Sequence, residues 1–114
     1  MTVKCIKNVF PSEYPECPLW YPDLTIGQIY EVLVIRTDHY RVWGDEGEPY
    51  CYPNEAFEIV DAAIPDAWIH KVEEDGATYR GPRELSVPGL FEDYFERKPY
   101  ARGIIDKYRP RAND

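Results

Sequence analysis

The chain has 114 residues, 44% of them apolar, with 10 Tyr, 4 Phe and 3 Trp, which is material enough to fill the core of one domain. Thirteen basic residues against 21 acidic ones leave a net charge of -8, so the molecule as a whole repels nucleic acid and anionic membrane and favours a basic or neutral protein partner. No apolar run reaches the ~20 residues of a membrane-spanning helix, and Met1-Thr2-Val3-Lys4-Cys5-Ile6-Lys7 lacks the apolar stretch of a signal peptide, so a cytoplasmic location is expected. Cys5, Cys17 and Cys51 cannot all pair within one chain, which fits reduced thiols in such a compartment.

Along the chain, Val3 to Ile6 reads as a first strand, with Val3 and Cys5 alternating against Lys4. Phe10 to Asp23 then holds four prolines, which exclude a central strand or a regular helix, and four aromatics, so a long, stiff, ordered loop is expected. Leu24-Thr25-Ile26-Gly27-Gln28 places a glycine in a turn. Ile29 to Arg36 is the strongest strand, with Ile29, Glu31, Leu33 and Ile35 on one face and Tyr30, Val32, Val34 and Arg36 on the other. After a turn at Thr37-Asp38-His39, Tyr40–Trp43 and Pro49–Tyr52 form a meander around the polar, two-glycine connection Gly44 to Glu48. Pro53-Asn54-Glu55-Ala56 suits a single helical turn, and Phe57-Glu58-Ile59-Val60 a short final strand with Phe57 and Ile59 facing one way. This first module ends near Asp61.

In residues 62–114, Trp68–Val72 and Ala77–Arg80 flank Glu73-Glu74-Asp75-Gly76, whose Asp-Gly pair predicts a tight hairpin. Leu90, Phe91, Tyr94 and Phe95, then Tyr100, Ile104, Ile105 and Tyr108, recur at helical spacing and predict two short amphipathic helices broken at Pro99. The aromatics Phe91, Tyr94, Phe95, Tyr100 and Tyr108 are expected to pack as core against the hairpin. Lys107, Arg109 and Arg111 would complement the second helix's dipole, with a frayed tail from Arg109 to Asp114. The whole is expected to be one barrel (1–61) with an appendage (62–114) packed on it as one structural unit.

The order of these signals resembles the Src-homology-3 fold. Leu24-Thr25-Ile26-Gly27-Gln28-Ile29-Tyr30-Glu31-Val32-Leu33 is similar to its glycine-centred turn and following strand, and Pro53 to Val60 to its proline, 3-10 turn and last strand. The resemblance covers roughly the first half and implies a five-stranded barrel, with Phe10 to Asp23 as its long first loop, Thr37 to His39 as the second and Gly44 to Glu48 as the distal hairpin. It also implies a binding module. Yet Ala56 stands where the family's peptide-binding tyrosine would, and Tyr40 near its tryptophan, so the family's proline-rich ligand does not carry over. Small uncharacterised bacterial and phage barrels resemble the chain more closely. Residues 62–114, with Trp68, Gly81-Pro82 and Gly89 to Phe95, are similar to segments of immunity proteins from bacterial toxin systems.

No set of residues carries chemistry. A structural zinc site needs four ligands with a closely spaced pair, but Cys5, Cys17, Cys51, His39 and His70 are scattered. Only Ser12 and Ser86 could serve as hydroxyl nucleophiles, neither in a strand-turn-helix elbow, and no phosphate-binding glycine loop is present. No metal, cofactor or catalytic residue is therefore expected. The partner-binding candidates are the aromatic loop, Phe10, Tyr14, Trp20 and Tyr21, with its acidic rim Glu13, Glu16 and Asp23, together with Asp45, Glu46 and Glu48 of the distal turn. Rigid aromatics supply contact area at low entropic cost, and prolines preorganise the loop; the competing reading has the aromatics capping an open barrel end. The expected function is non-enzymatic: an acidic inhibitor or immunity-type protein that blocks a partner protein. The alternative is a nucleic-acid or ribosome-associated barrel, which needs Lys4, Lys7, Arg36, Arg41, Arg80 and Arg83 gathered into a basic patch. A small enzyme comes third and needs a deep pocket lined by His39 or His70 with two carboxylates.

Overall fold

The computed structural model describes residues 1–14 and 16–110. Among them the strands are β1 (Thr2–Cys5), β2 (Val9–Phe10), β3 (Leu19–Trp20), β4 (Ile29–Arg36), β5 (His39–Trp43), β6 (Pro49–Pro53), β7 (Phe57–Asp61), β8 (Trp68–Val72) and β9 (Thr78–Pro82). The helices are α1 (Leu90–Phe95) and α2 (Pro99–Asp106), and 3-10 turns occupy Asn54–Ala56 and Arg83–Ser86. The protein is thus mainly β and antiparallel, with two short C-terminal helices. No helix is long and apolar enough to cross a membrane.

The five strands expected in residues 1–61 lie side by side in the order β6-β5-β4-β1-β7. The path is open: among the described residues β6 and β7, at its two ends, are not paired with each other. β4 carries the architecture because three strands pair with it. β5 takes one edge, while β1 (Thr2 opposite Glu31) and β9 (Ile35 opposite Arg80) share the other. β8 pairs with β9, so one sheet runs from the first part of the chain into the second. The β8–β9 hairpin turns where the Asp-Gly pair predicts it, with Gly76 at φ +86, a conformation that costs a residue without Cβ little.

Strict alternation along β4 does not hold. Val32 pairs with Val42 but Val34 with Arg41, so β4 carries one extra residue, a bulge at Leu33. Tyr30 and Val32 enter a first core with Val3, Cys5, Val42, Tyr52 and Phe57, whereas Leu33 and Val34 both enter a second. That second core joins them to Trp43, Tyr79, Leu85, Leu90, Tyr94, Ala101 and Ile105. β4 is buried on both faces because α1, α2 and the Arg83–Ser86 turn cover the side that a free-standing barrel would leave to water.

Four expectations are corrected. Phe57 is buried but Ile59, although opposite buried Val3, is 54% exposed, because β7 is the edge strand at the open end of the path. Of the helical aromatics only Tyr94 is fully buried; Phe91 and Tyr108 are partly buried, Tyr100 is exposed, and Phe95, at 37% exposure, stacks flat on Tyr50 instead of entering the core. The Phe10–Asp23 segment is not all loop: Val9–Phe10 and Leu19–Trp20 pair as a short ribbon, stopped beyond the Phe10–Leu19 pair by Pro11 and Pro18, which have no N–H to continue it. Arg109 does not fray. Its guanidinium donates to the Gly47 carbonyl, to Tyr94 Oη and to Asp106, and lies 4.5 Å over the Trp43 ring, pinning the chain end to the distal turn. Arg111 and the rest of the expected frayed tail, residues 111–114, lie outside the described residues.

Candidate partner-binding surface

The ribbon β2–β3 and the distal turn between β5 and β6 are tied together at their bases. Backbone Asp45 N donates to Asp23 O at 2.8 Å, and Tyr21 N to Asn8 O at 2.9 Å. The side chain of Asp23 accepts the hydroxyl of buried Tyr52, while Asp45 accepts from Tyr30 Oη at 2.7 Å and Thr25 Oγ1 at 2.6 Å. Gly44 sits where a Cβ would lie 2.9 Å from Tyr52 Oη and 3.2 Å from Asp23 O, so only glycine allows the distal turn to close on Asp23. Phe10 packs edge-on against Tyr21, and Tyr21 edge-on against Tyr52, at centroid separations of 5.9 and 5.4 Å.

These contacts divide the ten partner-binding candidates. Phe10 is 8% exposed and Tyr21 partly buried, so Phe10 is corrected to an anchor of the ribbon, and Tyr21 presents only part of its ring. Asp23 and Asp45 are committed to hydroxyl donors. Tyr21, Asp23 and Glu46 line one shallow cavity with Tyr50 and Tyr52, so the structure brings the loop base and the distal turn together. Glu48 is half-buried on the side of Tyr94, where burial first and the Glu48 and Asp106 charges after it push the Tyr94 hydroxyl pKa up. The outer part of the ribbon is different. Tyr14 and Trp20 are each 64% exposed, with Glu13 and Glu16 exposed beside them in sequence. Val9, opposite Trp20, and Leu19 are exposed as well and were missed at the level of sequence. The local signal is alternation along each strand, which puts the pair Val9 and Trp20 on the face opposite buried Phe10 once the ribbon's register is known.

Burial above all, with the Thr25 N–H pulling the other way and the Asp45 carboxylate adding to it, pushes the Tyr30 hydroxyl up to about 12 from its ordinary 10.0. Burial, then Asp23, raises Tyr52 as well. A tyrosine whose folded pKa is raised contributes stability that is complete below the unfolded value and is lost as pH rises through the folded one. Stability measured by denaturant should therefore fall between pH 10 and about 12, and Tyr30→Phe should flatten that fall; an unchanged slope in the variant would remove Tyr30 from the account.

Of the six cations considered for a basic patch, Arg36 and Arg41 line one cavity, whereas Lys4 stands 4.0 Å from Glu58, Lys7 lies over Phe10, and Arg80 and Arg83 lie elsewhere on the surface. His39 is held by Asp38 at 2.6 Å, and neither it nor His70 lines that cavity. Cys5 is buried, Cys51 partly buried and Cys17 exposed, all as free thiols. Among the described residues no group of three His, Cys, Asp or Glu side chains converges as a metal-binding set. Comparison of the chain with protein-family models, with curated proteins and with solved structures yields no match.

Proposed function

We propose that the protein is a non-enzymatic binding module of Src-homology-3-like build whose β2–β3 ribbon docks on a basic protein, blocking it in the manner of an acidic inhibitor or immunity protein. The fold reading is supported by five antiparallel strands in one path, a long excursion after the first, a distal turn before β6 and a 3-10 turn before the last. One observation carries the functional reading: the pair Trp20 and Val9 is held in water on one face of a ribbon whose other face is clamped into the core by Phe10 and Tyr21, with Leu19 and Tyr14 exposed toward its tip. Large side chains presented on a preorganised support lose little entropy on docking. Partner charge follows from the rim. Glu13, Glu16 and Glu46 have no cationic partner among the described residues, and complementary fields speed encounter and exclude wrong partners.

The test is a Trp20→Ala variant. Its melting behaviour should match the parent, since exposed substitutions usually change stability by no more than ~0.5 kcal/mol. Its affinity for a basic partner recovered from the source cell should fall ~30-fold, the scale of a binding hot spot. Association that is insensitive to salt would sink the electrostatic part, and unchanged affinity would move the site off the ribbon.

A further inference from the structure

Between the outer face of β4, β5 and β6 and the segment from Leu85 to Glu92 lies a cavity of about 480 Å³, within the size range of small-ligand sites. Its wall sets apolar groups, among them Val34, Leu85, Val87 and Phe91, beside three cations, Arg36, Arg41 and Lys71. Such a convergence runs against a net charge of -8. It arises because β4 and β5 each turn one arginine toward the C-terminal part of the chain, while β8, joined to β4 through β9, supplies the lysine.

The carboxylates do not balance these charges evenly. Glu73 takes Arg36, with Nη1 and Nη2 both 3.2 Å from Oε1. Glu92 stands exposed at the rim. Arg41 has no carboxylate partner among the described residues: Nη1 donates to the Pro49 carbonyl at 2.7 Å, and the guanidinium lies 3.8 Å over the Phe91 ring. That leaves Nε and Nη2, which together form the other edge of the guanidinium fork. Arg41 is partly buried and lines the cavity, which is the space that edge has available. Burial first, and the nearby Arg36 charge after it, lower the Arg41 pKa, with Cys51 acting in the opposite sense. Because a guanidinium does not shed its proton in a protein, Arg41 keeps its charge here with only a carbonyl and an aromatic face against it among the described residues, and an anion in the cavity would complete its compensation.

We propose that this cavity is a binding site for a small organic oxyanion with an apolar body, its two oxygens held side-on by Nε and Nη2 of Arg41 and its body against Phe91 and Val87. A carboxylate or a phosphate monoester presents that pair of oxygens, and bidentate pairing of this kind is the strong form of charge-assisted hydrogen bond. Arg36 contributes long-range attraction that Glu73 holds in check. Cys51, directly opposite Arg41 in the β5–β6 register, lines the same cavity and serves as a reporter.

The experiment titrates the full chain with benzoate, phenyl phosphate and neutral benzyl alcohol, followed by amide chemical shifts. Either anion should saturate with shifts concentrated in residues 85–92 and 36–51; the tighter of the two identifies the headgroup, and benzyl alcohol should bind far more weakly. Arg41→Gln should lose ~10-fold or more in affinity, and Glu73→Gln should gain several-fold by releasing Arg36. In a Cys17→Ser background the anion should slow alkylation of Cys51, a readout that stands if Arg41→Gln does not fold. The proposal is overturned if neither anion saturates at millimolar concentration, if benzyl alcohol binds equally well, if the shifts map to another surface, or if folded Arg41→Gln keeps full affinity.

Discussion

Truncation after Asp61 is expected to leave a chain that aggregates instead of folding to a soluble monomer, although the removed part begins where the five-stranded path has already ended. The reason lies in β4 and β5. Leu33, Val34 and Trp43 are 4%, 1% and 6% exposed in the full chain, and the residues that cover them, Tyr79, Leu85, Leu90, Tyr94 and Ile105, all come from beyond Asp61. Returning a buried large apolar side chain to water costs ~1.5–3 kcal/mol. Three such side chains together approach the whole ~5–15 kcal/mol by which a domain is usually stable. The truncation also unpairs Ile35 and Arg36 from β9, turning the end of a buried strand into an open edge. Circular dichroism and gel filtration of residues 1–61 decide the matter: a monomeric, cooperatively melting fragment would mean that the second core is an accessory.

Tyr52→Ala should be the most damaging single substitution in the first core, at ~3–5 kcal/mol, the usual cost of emptying a buried aromatic site. Tyr52 is 2% exposed, meets Tyr21 and Phe57 edge-on, and gives its hydroxyl to Asp23, so it joins the sheet, the ribbon β2–β3 and the distal turn at one point. Tyr52→Phe separates the two roles. It keeps the ring and leaves Asp23 without its donor, for a cost of ~1–3 kcal/mol. Gly44→Ala would crowd the same hydroxyl, and its penalty should shrink in the Tyr52→Phe background because the closest atom to the new Cβ is then absent. Urea titrations of the single and double variants supply the cycle; strict additivity of Gly44→Ala and Tyr52→Phe would remove the hydroxyl from the packing argument. The variant also bears on the proposed docking, since a ribbon no longer held by Tyr52 and Asp23 would lose the preorganisation that the proposal assigns to Trp20 and Tyr14.

How much of this was legible in advance depended on the range of the interaction. The runs Ile29–Arg36 and Trp68–Val72, the Asp-Gly turn at Gly76 and the helix start at Pro99 rest on φ/ψ preference and periodicity, which act over a few residues, and each stands where local chemistry places it. The aromatic loop was legible as a feature but not as a division. Nothing local distinguishes Phe10, which turns inward, from Trp20, which faces water, because that depends on how a proline-bounded ribbon lies on Tyr52, far away in sequence. The helical aromatics fell the same way: Tyr94 found the second core, while Phe95, one residue on, found only the face of Tyr50.

The sequence by itself determined where the longer strands, the hairpin turns and the two helices form, that the chain is acidic, and that an aromatic, proline-stiffened segment interrupts its first strands, though not that a two-residue ribbon pairs within it. Only the tertiary structure decided that β4 is buried on both faces, since a single bulge at Leu33 and a covering layer from residues 79–105 are needed to put Leu33 and Val34 in the same core. It alone brought Arg36, Arg41 and Lys71 to one cavity and left Arg41 without a carboxylate among the described residues. The physical reason is common to both. Local propensity sets the elements, but which faces meet, and which charges are left over when they do, is settled by long-range pairing that no short window of sequence contains.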